Sequence, residues 1–342
     1  MYAPRDRPDQ ATWLRRSQPC YASTMTAQPP AERVDIRPID LAPYAQGNTG
    51  IPYVTTLDSG RPGPHVMVNA LTHGNELCGA HALKFLFDRQ VKPNRGKLTL
   101  GFANVQAYHR FDPANPTASR LIDEDFNRLW SPAILDGPRQ SAELARARAY
   151  RPLIETVDVL LDIHSMQLDS PALNLCGLAE KGRKLALELG VPEWVVADAG
   201  HAAGPRMRDY GGFADPASPK TALLIECGQH WRQASVDLAI LATLRFLERL
   251  DMIPSAFGAD RPSVTQAPQK VVEVTEAVTI ATDEFQFHGA WSGMEVLAKA
   301  GTPIGRDGPR EVVTPYDNCA LIMPTRRLKR GQTAVRLGRR VA

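Results

Sequence analysis

Four short apolar runs constrain this chain most. Residues 65–70, 97–103, 157–163 and 221–226 are each about one strand long. Apolar runs of that length, bounded by turn residues, read as buried strands. Helix-length segments lie between them. After the first run, Leu77, Ala80, Leu83 and Phe87 share one side of a helix, with Asn75 available as its N-cap. Further helical stretches fall near 140–150, 178–189 and 233–250. The last carries Val236, Ile240, Leu244, Leu247 and Leu250 on one face. Strands alternating with helices predict an α/β sheet covered on both faces.

Two long segments interrupt this alternation. Residues 109–138 are rich in Pro, Asp and Asn, and residues 198–220 are rich in Gly and Pro. Loops of that length in a compact domain are usually functional or disordered, so both are places to seek substrate contacts. Past residue 250 a Pro-rich linker follows, and then short β-rich runs at 270–276, 278–281, 294–297 and 319–323. The expected organisation is an N-terminal extension over 1–30, an α/β domain over 31–252, and a small all-β domain over 265–342. The extension is polar, shows no secretory signal and offers Met25 as an alternative start.

The 342 residues carry 40 Lys and Arg against 37 Asp and Glu, a formal charge of +3. The excess sits in a basic tail from Arg326 onward, which holds no acid and reads as a solvated end. That pattern argues against a nucleic-acid role. Five scattered cysteines with no CxxC give neither a disulfide framework nor a thiolate zinc site, which fits the cytoplasm. No apolar run approaches the ~20 residues that span a bilayer.

Chemistry-bearing residues gather at strand ends. His73-Gly-Asn-Glu76 sits where the first strand passes into its helix. The carboxyl edge of an α/β sheet is where such folds bind ligands. An imidazole and a carboxylate three residues apart across a turn can converge on a metal, although a capping Glu in a surface turn is the blander account. His164 closes the third strand, and Asp162 points to the same side and could orient a ligating imidazole. Equally, His164 could be a satisfied core histidine. Glu226 ends the fourth strand after an apolar triplet, where a carboxylate is costly to bury unless it is paired or functional. In the first long loop, Arg120, Asn127 and Arg128 could bind a carboxylate or remain solvated.

In this order, His73-Gly-Asn-Glu76, Arg120 through Arg128, Asp162-Ile-His164 and Glu226-Cys-Gly together resemble the succinylglutamate desuccinylase/aspartoacylase family of the zinc carboxypeptidase clan. The resemblance covers about residues 50–250. It implies a mixed central sheet flanked by helices, with a C-terminal β domain. It further implies that His73, Glu76 and His164 hold one Zn²⁺ and that Glu226 activates the zinc-bound water and protonates the leaving amine. Arg120 would stabilise the oxyanion, while Asn127 and Arg128 would hold the carboxylate of the amino-acid part. The implied reaction removes an acyl group, such as acetyl or succinyl, from a small N-acyl amino acid.

Substrate choice lies outside these motifs. Arg206, Arg208 and Tyr210 in the second loop, and Tyr316 in the C-terminal part, are candidates to reach the substrate; each could equally be an ordinary loop or turn residue. His230, four residues past Glu226, could line the cleft but reads better as lying near a helix start; His81 reads as structural, and Cys78 and Cys227 as small packing residues. A carboxypeptidase acting on small peptides is the competing enzyme reading, because its substrate also presents an α-carboxylate. A zinc-binding protein without turnover is disfavoured by Glu226 and Arg120, since neither is needed to hold zinc. The sequence leaves a homo-oligomer open.

Overall fold

A computed structural model describes residues 33–341 apart from Ala202 and Gln266. The expectation for residues 1–30, and Cys20 with it, lies outside the described residues. The chain opens with β1 (Val54–Asp58), β2 (His65–Ala70), α1 (Cys78–Asp88), β3 (Lys97–Phe102) and a short α2 (Val105–Tyr108). The first long loop carries helical turns at 118–120 and 126–128 and a short α3 (Pro132–Leu135). Next come α4 (Ala142–Ile154), β4 (Val159–Met166), β5 (Leu173–Leu175), α5 (Glu180–Leu189), β6 (Trp194–Ala197), β7 (Thr221–Gln229) and α6 (Gln233–Arg249). The remainder is β-rich: β8 (Lys270–Thr279), β9 (Gln286–Phe287), β10 (Glu295–Leu297), β11 (Pro303–Asp307), β12 (Arg310–Val313), β13 (Cys319–Ile322) and β14 (Thr333–Arg340).

Eleven strands form one mixed sheet in the order β1-β3-β2-β4-β7-β5-β6-β8-β14-β13-β10. Its centre, β3-β2-β4-β7, is parallel. Both faces of that centre are covered, which explains why these strands read as unbroken apolar runs. On one face, Leu83 and Leu86 of α1 and Phe246 and Leu247 of α6 pack in the main core. On the other, Leu144 and Tyr150 of α4 pack with Phe126 and Trp130 of the first long loop. A separate three-stranded sheet, β12-β11-β9, stands in the C-terminal part.

Strand register positions the chemistry. Asn69 of β2 lies opposite Asp162 of β4, and His164 of β4 lies opposite Glu226 of β7. Both pairs sit at the carboxyl edge of the sheet. The turn after β2 leaves the strand through Leu71, a left-handed residue at φ 58°. It continues through Gly74, where a Cβ would come within 2.4–2.5 Å of Ala107, Tyr108 and Ser119 backbone atoms. Only glycine fits that approach.

The structure corrects two expectations. Asn75 does not cap α1: the helix starts at Cys78 with Leu77 at the N-cap and no side-chain cap. Asn75 is instead buried, and its carbonyl accepts from Trp231 Nε1 at 3.1 Å. The basic tail is only partly a solvated end: its basic side chains other than Arg336 are exposed, but its backbone is ordered. Its residues 333–340 form β14, between β8 and β13, with Val335 and Leu337 fully buried. The charges on this segment masked a strand whose apolar positions face the core.

Candidate active site

Asp162 anchors the site. It is fully buried, and its Oδ1 accepts from Asn69 Nδ2 at 2.8 Å and from Thr72 Oγ1 at 2.9 Å. Its Oδ2 lies 2.8 Å from His164 Nε2. The opposite ring nitrogen, Nδ1, lies 2.9 Å from Glu76 Oε2. Glu76 Oε1 in turn lies 2.7 Å from His73 Nδ1, whose Nε2 is 2.9 Å from Asp125 Oδ1. Each imidazole is therefore clamped between two carboxylates. Burial alone would raise the Glu76 carboxyl, but His73 and His164 outweigh it and hold it well below the usual range. Burial would lower His164, yet Asp162 and Glu76 hold it well above the ordinary value.

A metal fits this donor set. One ligand atom from each of His73, Glu76 and His164 lies within 4.8 Å of the others. Without a metal, the 2.9 Å between His164 Nδ1 and Glu76 Oε2 is bridged by a proton; once that proton leaves, a lone pair faces a carboxylate oxygen. Two acceptors at that distance call for a proton or a cation between them. Two imidazoles and a carboxylate, with an aspartate behind one imidazole, form a common zinc set with its orienting partner.

Arg120 reaches the same point. Its Nη1 donates to Glu76 Oε1 at 3.0 Å, and its Nη2 to Asp125 Oδ2 at 3.3 Å. The Arg120 carbonyl accepts from the Gly74 N–H at 3.1 Å, which ties the two turns together. Three consecutive N–H groups after Arg120, those of Ile122, Asp123 and Glu124, donate to the buried Glu143 carboxylate at 2.6, 3.0 and 3.2 Å. Asn127 Oδ1 accepts from the Met207 N–H at 2.7 Å, and its Nδ2 lies 3.3 Å from His164 Nε2. Arg128 donates to the Asn127 carbonyl at 2.7 Å and forms no ion pair among the described residues.

Glu226 is buried beside this cluster, with one carboxylate oxygen, Oε2, lacking any partner among the described residues. Burial, reinforced by Glu76 and Asp162 against His164 and Arg120, pushes its carboxyl up to about 8. All seven residues named from the central motifs line one cleft: His73, Glu76, Arg120, Asn127, Arg128, His164 and Glu226.

The peripheral candidates separate. Arg206 lines the cleft, but its guanidinium is committed to Asp198 at 2.5 and 3.0 Å and to Asp209 at 2.7 Å. Arg208 is not among the lining residues; it donates to Asp209 at 2.6 Å and to the Cys176 carbonyl at 3.1 Å. Tyr210 is also outside the cleft, with its hydroxyl on Glu155 at 2.8 Å. Tyr316 lines a different cavity with Trp194 and Lys270, under the Arg339 guanidinium.

Sequence reasoning missed Asp125, His201 and three arginines of the basic tail, Arg326, Arg327 and Arg336, which all line the cleft. Arg336 is buried, with its Nε 3.8 Å from Asp198 Oδ2. The only signal was alternation within 333–340. His230 lines the cleft, the less favoured of its two readings. His81 Nε2 donates to the Arg37 carbonyl at 2.9 Å and does not line the cleft. Cys78 and Cys227 are buried and free.

Residues 62–207 match the family model of the succinylglutamate desuccinylase/aspartoacylase catalytic domain. The matched region is less than half of the chain. It contains every motif residue of the site except Glu226, whose place rests on the sheet register. Among solved structures, the fold is similar to that of the succinylglutamate desuccinylase from Vibrio cholerae. The two share 18% identity over 84% of this chain and 85% of that one, with a TM-score of 0.63. The succinylglutamate desuccinylase/aspartoacylase from Rhodobacter sphaeroides gives 17% identity over 86% and 93%, with a TM-score of 0.59. The ectoine utilization protein EutE (DoeB) from Ruegeria pomeroyi gives 16% identity over 84% and 88%, with a TM-score of 0.58. At such identities the family's fold is shared. No curated protein matches the chain. Among the described residues no helix is long and apolar enough to cross a membrane.

Proposed function

We propose that the protein is a zinc-dependent amidohydrolase that removes an acyl group from a small N-acyl amino acid in the cytoplasm. One observation carries the reading. A His-Glu-His donor set, a buried carboxylate with a bare oxygen and an arginine fork converge at one end of a single cleft.

Zinc held by His73, Glu76 and His164 would polarise the amide carbonyl and acidify a water near neutral pH. Glu226 takes that water's proton and returns it to the leaving amine; its raised proton affinity suits both tasks. Arg120 steadies the oxyanion, a contribution of ~3–4 kcal/mol in comparable sites. Asn127 and Arg128 hold the α-carboxylate, consistent with an Arg128 fork that has no carboxylate of its own. Arg206 acts as a positioning residue, since its hydrogen bonds are spent on Asp198 and Asp209. Residues 31–252 supply this machinery, and the part from 265 on narrows the entrance through Arg327 and Arg336. A cleft of about 240 Å³ suits a small substrate better than a peptide.

The test is a panel of N-acetyl and N-succinyl amino acids offered to the zinc-loaded protein, scored by release of free amine. Release from at least one compound, abolished by chelation, is expected. Release of C-terminal residues from peptides, with none from the panel, would replace this reading by the carboxypeptidase one.

A further inference from the structure

His230 is buried, lines the cleft and has no place in the mechanism above. It lies just past the end of β7, four residues after Glu226. Its backbone N–H donates to the Met166 carbonyl at 2.8 Å, which sets the ring against the end of β4. There Nδ1 meets Ser165 Oγ at 2.8 Å. Ser165 follows the proposed ligand His164 directly. Its hydroxyl has no other acceptor among the described residues, so the Ser165 proton points at Nδ1. The imidazole then carries its own proton on Nε2. That nitrogen has no hydrogen-bond partner among the described residues, and it belongs to a ring on the cleft wall. Trp231 packs against the ring at 5.3 Å between centroids and restricts its rotation. Ser165 also donates its backbone N–H to Glu76 Oε2 at 3.3 Å, so His230 stands beside the metal end of the cleft.

A donor on the cleft wall with no protein acceptor is available to a ligand atom in the cleft. The groups around it select which ligand atom that is. Glu76 and His73 are committed to the donor set, and Arg120 approaches the same point. We propose that His230, oriented by Ser165, is a catalytic residue that donates its Nε2–H to the scissile carbonyl oxygen as that oxygen gains charge, alongside Arg120. No proton leaves His230; it contributes a fixed dipole. This rests on the amidohydrolase reading above.

The test uses the full-length zinc-loaded protein and the N-acyl amino acid it hydrolyses best. His230→Phe removes the donor, His230→Gln keeps an N–H donor, and Ser165→Ala removes the orienting hydroxyl. His230→Phe should lower kcat about 10²-fold with KM changed less than about threefold, the pattern of a lost oxyanion donor. His230→Gln should recover about tenfold of that, and Ser165→Ala should fall between wild type and His230→Phe. Zinc content by elemental analysis should match wild type in all three. Calorimetry with a phosphonamidate analogue of the tetrahedral species should show the same order in Kd. A kcat for His230→Phe within twofold of wild type would overturn the assignment. So would a Gln variant no better than Phe, or zinc lost in proportion to kcat. If wild type itself hydrolyses no N-acyl amino acid, the amidohydrolase reading fails as well; if wild type turns over and only these variants behave otherwise, His230 alone is misassigned.

Discussion

Glu226 and His73 sit in the same buried cluster, yet they should fail in different ways. Glu226 offers an oxygen with no partner among the described residues, whereas His73 is held on both ring nitrogens by carboxylates. Glu226→Gln keeps the size and removes the base. It should retain zinc and lose at least 10²-fold in kcat, in line with the usual worth of general acid–base catalysis. His73→Ala should instead lower bound zinc, read by elemental analysis at fixed protein concentration. Near-normal hydrolysis by the first variant, or undiminished zinc in the second, would break the role assigned to that residue. These two residues were legible because their signals are local: a turn motif and a charge closing an apolar run. Arg336 was not legible, because its place on the cleft wall comes from the pairing of β14 with β8, more than fifty residues away in the chain. Arg208 shows the converse. Its loop reaches the cleft through His201 and Arg206, but Asp209 and the Cys176 carbonyl claim the Arg208 guanidinium, and no local pattern distinguishes it from Arg206.

The elements that carry the site were visible as apolar runs, but their lengths were not. β4 runs on to Met166 and β7 to Gln229, past the residues where apolarity stops, because each extension still pairs with its neighbour. The loop between β3 and α4 is the clearest case of order without periodicity. One buried side chain, Glu143 in the first turn of α4, gathers several of its backbone groups. That carboxylate accepts three loop N–H groups and Asn104 Nδ2, the last at 3.0 Å. Glu143→Gln leaves one oxygen to do this work and brings an NH₂ against donors. Unsatisfied buried donors cost ~1–3 kcal/mol each. The expected result is a Tm several degrees lower, with kcat/KM falling more than stability alone accounts for, since Arg120 and Arg128 leave from this loop. Thermal melts beside steady-state kinetics check it. A lower Tm with unchanged kcat/KM would mean that the loop does not depend on Glu143 for its shape.

At the scale of the whole molecule, one residue of the basic tail, Arg336, is built into the fold. Arg336 brings a charge from the last strand to Asp198, just beyond β6, and Arg206 of the second long loop grips the same carboxylate. Asp198 thus joins three distant parts of the chain at the cleft wall. Burial would raise its carboxyl, but Arg206, then Arg336 and Arg208, hold it below the ordinary value of 3.8. A carboxyl depressed on folding contributes stability that is present above its unfolded value and is lost as pH falls through the folded one. Asp198→Asn leaves two buried guanidiniums short of a counter-charge, a change that costs ~3–5 kcal/mol when a buried pair is broken. The variant should therefore be less stable than wild type by a constant margin from neutral pH down to about pH 4, the ordinary range of a free Asp carboxyl. Below that the margin should shrink, because wild type then loses the same charge by protonation. Urea unfolding of both proteins across that range measures it. A margin that widens as pH falls would mean that Asp198 is not the anion that holds Arg206 and Arg336 together.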